Sequence, residues 1–323
     1  MSDRKLELKL YSNIKSIPVE WLWYPYIPFG KITLIQGDPG EGKSTMMMAL
    51  IAALSSGTST PDGKGIDKPY RIIYQCSEDG VADTIKPRLE KCGANCENIA
   101  FVDEDIDPLS LDDERFRDAI IDFRARVLVI DPFQAYVGEG TNIADAVKIR
   151  KIMHRLSLWA SAYDCAIILV GHLNKREGSK ELYRGLGSVD VVAAARSVLQ
   201  VGRISEDSTT RYVRQIKNSL APLAPGAVFD INPTDGFQWV ECDPVNNDWF
   251  YSENPAGISK EEQAVYELKD LLKNGPVEAS DIEEHFIMKG ISMRTVYKTK
   301  ATIGVRSFRK GRVWYWALNN VNE

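Results

Sequence analysis

A short apolar strand running into a glycine-rich loop and then a helix, Lys31-Ile-Thr-Leu-Ile-Gln-Gly-Asp-Pro-Gly-Glu-Gly-Lys-Ser-Thr45, restricts this chain to few folds. Gly37, Asp38, Pro39, Gly40, Glu41, Gly42, Lys43 and Ser44 spell G-x-x-x-x-G-K-S, a loop whose backbone N–H groups cradle a polyphosphate. Its glycines turn the backbone tightly and keep Cβ atoms out of the anion's way. Lys43 is spaced to reach the β- and γ-phosphates, and Ser44 to put its hydroxyl on Mg²⁺. The helix that begins near Ser44 and Thr45 turns its unpaired N–H groups and partial positive charge toward the same anion. The expectation is an α/β fold with a mostly parallel central sheet and a site for ATP and Mg²⁺ spanning Gly37 to Thr45.

At 323 residues the chain has room for one sizeable α/β core and a smaller module. The longest apolar runs, such as Ala166 to Val170, are far too short to span a bilayer. With no signal-peptide pattern at the N-terminus, a cytoplasmic protein without membrane contact is expected. The cysteines, Cys76, Cys92, Cys96, Cys165 and Cys242, are odd in number and scattered, and read as reduced thiols. Cys92 and Cys96 have no second pair to complete a zinc set.

Further chemistry is expected at the carboxyl ends of the strands, where open parallel sheets bind their ligands. The strand Arg71 to Gln75 ends in Cys76-Ser77-Glu78-Asp79, which puts Glu78 in place to orient an attacking water, with Asp79 as the alternative or as a helix cap. Arg126-Val-Leu-Val-Ile-Asp131 reads as a strand buried on both faces, and its terminal Asp131 fits the second acid of a phosphate-loop site, on the Mg²⁺ side. The strand Ala166 to Val170 delivers His172 to the same edge, where a polar side chain can sense a γ-phosphate. Strands are also expected at Ile99 to Val102, Ser197 to Val201, Arg211 to Ile216 and Ala227 to Ile231, the last three as an antiparallel extension. Helices are expected at Leu111 to Phe123 and Ala144 to Ala162. The aromatic entry segment Trp21 to Pro28 either packs on the domain edge or stacks on an adenine base.

The polar, turn-rich stretch 242–257 reads as a linker, separating an ATPase domain, 1–241, from a module of residues 258–323. That module shows three helical patterns, Ser259 to Asn274, Ala279 to Lys289 and Ser292 to Ile303, then an alternating pair of strands around Lys310-Gly311. Three helices and a hairpin describe a winged helix. The net charge of −5 hides a basic block from Lys289 to Arg312 that contains no acid, so Arg294, Lys298, Lys300, Arg309, Lys310 and Arg312 are candidate nucleic-acid contacts.

With these residues in place, the region from about Val19 to Ile231 resembles the RecA-like ATPases, and within them the branch of RepA-type hexameric helicases (AAA_25-like) found in phage and plasmid replication. The entry phrase Trp21-Leu-Trp-Tyr-Pro-Tyr-Ile-Pro-Phe-Gly-Lys31 is similar to that branch. The resemblance implies Glu78 as catalytic glutamate, Asp131 as the Mg²⁺ acid and His172 as sensor. It implies that the loop Arg176 to Ser188, with Lys175, Arg176, Lys180 and Arg184, contacts single-stranded DNA in a central channel. It also implies that Lys217 reaches the γ-phosphate held by a neighbouring subunit, while Ser219 stands where DnaB-type helicases carry an arginine; Arg214 and Arg211 are substitutes. The implied protein is an ATP-hydrolysing motor, a ring-forming replicative DNA helicase or translocase, hexameric, with a primase or initiator as partner. An ATP-dependent DNA-loading or recombination factor without unwinding, and an ATP-switched DNA-binding regulator, stand as alternatives.

Overall fold

The computed structural model describes residues 8–61, 63–138, 145–173, 189–203, 209–224, 226–232, 236–240, 260–311 and 313–318. Three strands buried along almost their whole length become the middle of a sheet: β3 (Ile32–Gly37), where Thr33 and Gln36 are buried with the apolar residues, and the apolar runs β6 (Val127–Asp131) and β7 (Ala166–His172). Strands buried on both faces need no polar side, because helices cover the sheet above and below. Their side chains divide by period two. Leu128, Ile130, Ile167 and Leu169 enter one core with Phe116, Ile152 and Leu156, whereas Val127, Val129, Ile168 and Val170 enter the other with Met47, Leu50 and Ile51.

The helices match those two faces. α1 (Lys43–Ser56) buries Met46, Met47, Met48, Leu50, Ile51 and Leu54 and is apolar almost all round, as befits a helix inside the core. α3 (Glu114–Asp122) and α4 (Ala146–Tyr163) bury single stripes, Phe116 and Ile120 in one, Ile149, Ile152, Met153 and Leu156 in the other. Asp113 and Asp145 cap them, each accepting a bond from a first-turn backbone N–H.

The remaining strands of the large sheet are β4 (Ile72–Cys76), β5 (Ile99–Ala100), β8 (Ser197–Arg203), β9 (Thr210–Asn218), β10 (Ala227–Asn232) and β11 (Gly236–Val240). Among the described residues it is nine-stranded, in the order β11-β10-β9-β8-β3-β7-β6-β4-β5. β8 through β5 run parallel, and β9, β10 and β11 add antiparallel to one side. Of the three strands expected as an antiparallel extension, β9 and β10 run antiparallel, but β8 pairs parallel with β3 and belongs to the parallel part, because the residues 173–196 that separate it from β7 are enough for a crossover. β11, which was not expected, completes the antiparallel side. The strand expected at Ile99 to Val102 is shorter: Gln75 bonds both the N–H and C=O of Val102, so a side chain replaces the neighbouring strand there.

The entry segment forms a small hairpin, β1 (Trp21–Trp23) with β2 (Ile27–Pro28). Trp23 stacks on Tyr26 with centroids 4.1 Å apart and meets Trp239 edge-on at 5.7 Å. These rings, with Leu22, Ile27 and Phe29, belong to the core, so packing occupies them.

The chain divides into two compact units, Met1–Arg203 with Thr209–Glu241, and Ile204–Ser208 with Cys242–Glu323. In the second, α6 (Lys260–Leu272), α7 (Ala279–Met288) and α8 (Met293–Thr302) surround Leu268, Ile282, Phe286, Val296 and Trp316. The hairpin β13 (Val305–Lys310) and β14 (Val313–Leu318) is joined by a short third strand, β12 (Val277–Glu278), in the order β12-β14-β13. The sequence marked Gly275-Pro276 as a helix end, and Val277–Glu278 just after it was too brief to register as a strand.

Candidate functional site

The parallel strands β3, β4, β6 and β7 deliver their carboxyl ends to one edge, where Gly37, Cys76, Asp131 and His172 lie in neighbouring rungs. The phosphate loop leaves β3 there. Gly42 adopts φ +87°, so the turn into α1 needs glycine for its conformation; a Cβ there would also push on the tip of the Ile231 side chain, 2.5 Å away. Gly37 is held for a different reason: an added Cβ would sit 2.3 Å from the backbone oxygen of Val201 in β8. A Gly37→Ala protein is therefore expected to lose about 1–3 kcal/mol of stability, because two paired strands must part. Urea unfolding checks this, and an unchanged midpoint would contradict the close approach.

Lys43 is only 4% exposed and folds back over its own loop, donating to Gly37 O at 2.9 Å and Asp38 O at 2.8 Å. Its Nζ also stands 3.1 Å from His172 Nδ1. With that nitrogen accepting from an ammonium, the ring proton sits on Nε2, which faces Glu78 Oε1 at 3.6 Å. Gln134 donates to the His172 carbonyl at 3.2 Å and holds that strand end. Lys43, His172 and Glu78 thus form one line from the buried loop to the exposed rim, where Glu78 is 60% accessible.

Asp131 lies at the bottom, 3% exposed, accepting from Tyr74 Oη at 3.2 Å and from the Ser44 hydroxyl. Burial pushes its carboxyl above the usual range, against the pull of those two bonds and of Lys43. Burial likewise pushes the Lys43 ammonium down, with Asp131 the chief opposing charge. Both groups have given up water for incomplete compensation, an arrangement that an anion with its cation would complete. Ser44 and Asp131 are hard oxygen donors side by side, the set that suits Mg²⁺, so the residues fit that ion.

Of the other expected residues, Asp79 pairs with Arg88 at 2.8 Å, and the helical stretch after it is capped by Gly80, so Asp79 is not the cap. Lys217 lies at the far end of the sheet from Lys43. It donates to the carbonyls of Val192, Ala193 and Ala195 at 2.7, 3.1 and 2.7 Å, closing the C-terminus of α5 (Val189–Ala194). Arg211, held as a substitute trans-acting arginine, packs against its own loop, since a Cβ on Gly42 would be 3.2 Å from Arg211 Cδ. Arg214, the other substitute, is buried and donates to Gln200 Oε1 at 2.9 Å. In the second unit Arg294, Lys298, Arg309 and Lys310 are exposed. Lys300 instead places its ammonium 3.9 Å over the Trp316 ring and bonds Ser307. Lys175, Arg176, Lys180, Arg184 and Arg312, with the whole Arg176 to Ser188 loop, lie outside the described residues.

Sequence reasoning missed Arg203. It donates to Gly40 O at 3.2 Å, stands 3.6 Å from Glu41 Oε1, and is paired across β8 and β9 with Arg211. Two cations on adjacent strands thus border the loop, and burial lowers the affinity of Arg211 for its proton, with Arg203 adding to the effect. No local motif marks them, because β8 and β9 come far later in the chain than the loop they flank.

The AAA_25 family model, described as an AAA domain, matches residues 10–178, just over half of the chain. Among similar proteins, the DNA repair protein RadA of Halalkalibacterium halodurans is 26% identical over 207 residues, which is 62% of this chain and 39% of that protein. The DNA repair protein RadA of Bacillus subtilis is 29% identical over 152 residues, 46% of this chain and 29% of that protein. The chain therefore spans well under half the length of these relatives. In solved structures the ATPase domain of G40P is similar in fold, with a TM-score of 0.50 at 14% identity, covering 66% of this chain and 85% of that one.

Proposed function

The chain belongs to the AAA_25 family of AAA domains, and from that footing we propose that it is a RecA-like, ATP-hydrolysing nucleic-acid motor, a ring-forming replicative DNA helicase or translocase. The observation that carries this reading is the line from Lys43 through His172 to Glu78, which joins a buried phosphate loop to an exposed carboxylate at the strand ends. In it the loop amides and Lys43 hold the β- and γ-phosphates of ATP, and Glu78 orients the attacking water. Ser44 and Asp131 hold Mg²⁺, which when bound neutralises charge on those phosphates. His172, touching Lys43 on one side and facing Glu78 on the other, registers the γ-phosphate and passes its presence along β7 to the loop after Leu173. For Lys217 to serve the next copy in a head-to-tail ring, its ammonium has to leave the carbonyls of Val192, Ala193 and Ala195. The second unit is read as a winged helix, with Arg294 and Lys298 on the recognition helix and Arg309 and Lys310 at the wing tip meeting DNA phosphates. Lys300 is left out of that contact, since it is turned onto Trp316.

The RadA relatives favour one second reading, a DNA-repair or recombination ATPase that loads onto DNA without separating strands. The deciding experiment is steady-state ATP hydrolysis with and without single-stranded DNA, beside light scattering with nucleotide and unwinding of a forked duplex. Stimulation, a ring-sized particle and strand separation are expected. Stimulation without strand separation moves the assignment to the second reading, and hydrolysis indifferent to single-stranded DNA removes the motor.

A further inference from the structure

We propose that Tyr136 and Glu104 are positioning residues for Glu78, because they hold the Ser77 end of the turn that carries its carboxylate. This rests on the reading in which Glu78 orients the attacking water, and it names what keeps that group in place.

Glu78 has little of its own to hold it. Its side chain stands in the open at the rim, with His172 Nε2 at 3.6 Å as its one ionic contact among the described residues. A long exposed side chain samples many rotamers, so where its carboxylate stands depends on the backbone beneath it. That backbone leaves β4 at Cys76, directly after the buried Gln75. Gln75 donates to Val102 O at 3.1 Å and to Glu104 Oε1 at 2.9 Å, and accepts from Val102 N at 2.9 Å.

Glu104 extends that set on the other side. Its Oε1 also accepts from Tyr136 Oη at 2.8 Å, and its Oε2 accepts from Leu109 N at 3.4 Å. It forms no ion pair among the described residues; Arg115, close enough to feel its charge, is taken by Asp107 and Asp113. The Ser77 hydroxyl bonds Tyr136 as well, which brings the set to the residue next to Glu78. Burial and the Glu104 carboxylate push the Tyr136 phenol well above its usual range, so it stays protonated and keeps donating.

Tyr136 is itself anchored. It ends the short turn Phe133–Tyr136 that follows β6, its ring meets Phe116 edge-on at 6.3 Å, and its carbonyl accepts from Leu111 N at 2.6 Å. In the same turn Gln134 donates to His172 O at 3.2 Å. One turn thus ties together the ends of β4, β6 and β7, which bear Glu78, Asp131 and His172. Stability alone does not call for such a set, since buried hydrogen-bonded pairs replaced by apolar groups of the same shape cost little. Holding a direction does call for it, because linked hydrogen bonds fix the geometry of every member.

The test is a double-mutant cycle on the full chain, read by single-turnover hydrolysis and by binding of a fluorescent nucleotide. Tyr136→Phe removes only the hydroxyl. It is expected to slow hydrolysis by about 10–10²-fold, the scale of a reacting group misplaced by about 1 Å, with nucleotide affinity unchanged. Ser77→Ala, a change at an exposed residue, is expected to slow hydrolysis in the same way and by less. In a Glu78→Gln background neither substitution is expected to lower the residual rate further, since both act through Glu78. Tyr136→Phe at the original rate beside an impaired Glu78→Gln overturns the proposal and leaves Glu78 in its role. So does an equal loss in both backgrounds, or a loss that shows as weaker nucleotide binding. If circular dichroism finds Tyr136→Phe unfolded, the Ser77→Ala cycle decides by the same outcomes. Full activity of Glu78→Gln overturns the reading of Glu78, and the proposal with it.

Discussion

Lys43→Ala is expected to reduce ATP hydrolysis by at least about 10²–10³-fold, the range for removing one charged or donor group from a water-excluded site. The Lys43 ammonium reaches Gly37 O, Asp38 O and His172 Nδ1 at once, and it is the positive neighbour that draws the buried Asp131 toward its charged form. Alanine deletes all of these together. Asp131 then lies buried beside Ser44 and Tyr74 with no cation, which raises its proton affinity further and weakens its hold on a metal. Two loop carbonyls also lose their donor, at a cost of about 1–3 kcal/mol each if they stay dry. Phosphate release is the measurement, with circular dichroism to show that the variant is folded. A folded variant that hydrolyses ATP within a few-fold of the original would remove the phosphate loop from the account.

Glu78→Gln separates chemistry from binding. Glu78 is largely exposed, stands 3.6 Å from His172 Nε2, and has no hydrogen bond to the phosphate loop among the described residues. Glutamine keeps its shape and discards the charge that orients and deprotonates water. Hydrolysis is expected to fall by about 10²–10⁴-fold, the usual contribution of a general base, with nucleotide affinity little changed. Single-turnover hydrolysis and binding of a fluorescent nucleotide read the two quantities separately. Asp79→Asn is the companion: Asp79 already pairs with Arg88 at 2.8 Å, so only a small effect on rate is expected. If Asp79→Asn is the inactive variant and Glu78→Gln retains activity, the two acids exchange roles.

Burial on both faces of the sheet explains how much of the fold could be read from residues alone. Short unbroken apolar runs such as Val127 to Ile130, bounded by polar residues, are too brief for a core helix and read as strands covered on both faces. Helices with a stripe, α3 and α4, were legible from their spacing, and their capping acids were present in the sequence at Asp113 and Asp145. The short strands were legible only in part: β5 was expected at Ile99 to Val102 and stops at Ala100, whereas β12 exists because β14 supplies its hydrogen bonds, and no local pattern of two residues carries that information. β11 escaped for a related reason: it is held by its pairing with β10 and by Trp239 meeting Trp23, far away in the chain.

By itself the sequence determined the phosphate loop, the acids that close two strands and the histidine that closes a third, because each is a local chemical pattern attached to a local structural one. Tertiary structure alone decided what surrounds them. It brought Arg203 and Arg211 against the loop, turned Lys217 onto the end of α5, and set Lys300 on Trp316. The reason is range. A loop and its strand lie within fifteen residues of each other in one chain, so their relation is written in order and spacing. The direction of a long cationic side chain depends on whatever tertiary packing brings to it, from Ser307 beside Lys300 to Gly40, 163 residues from Arg203, and those partners are set only when the chain has folded.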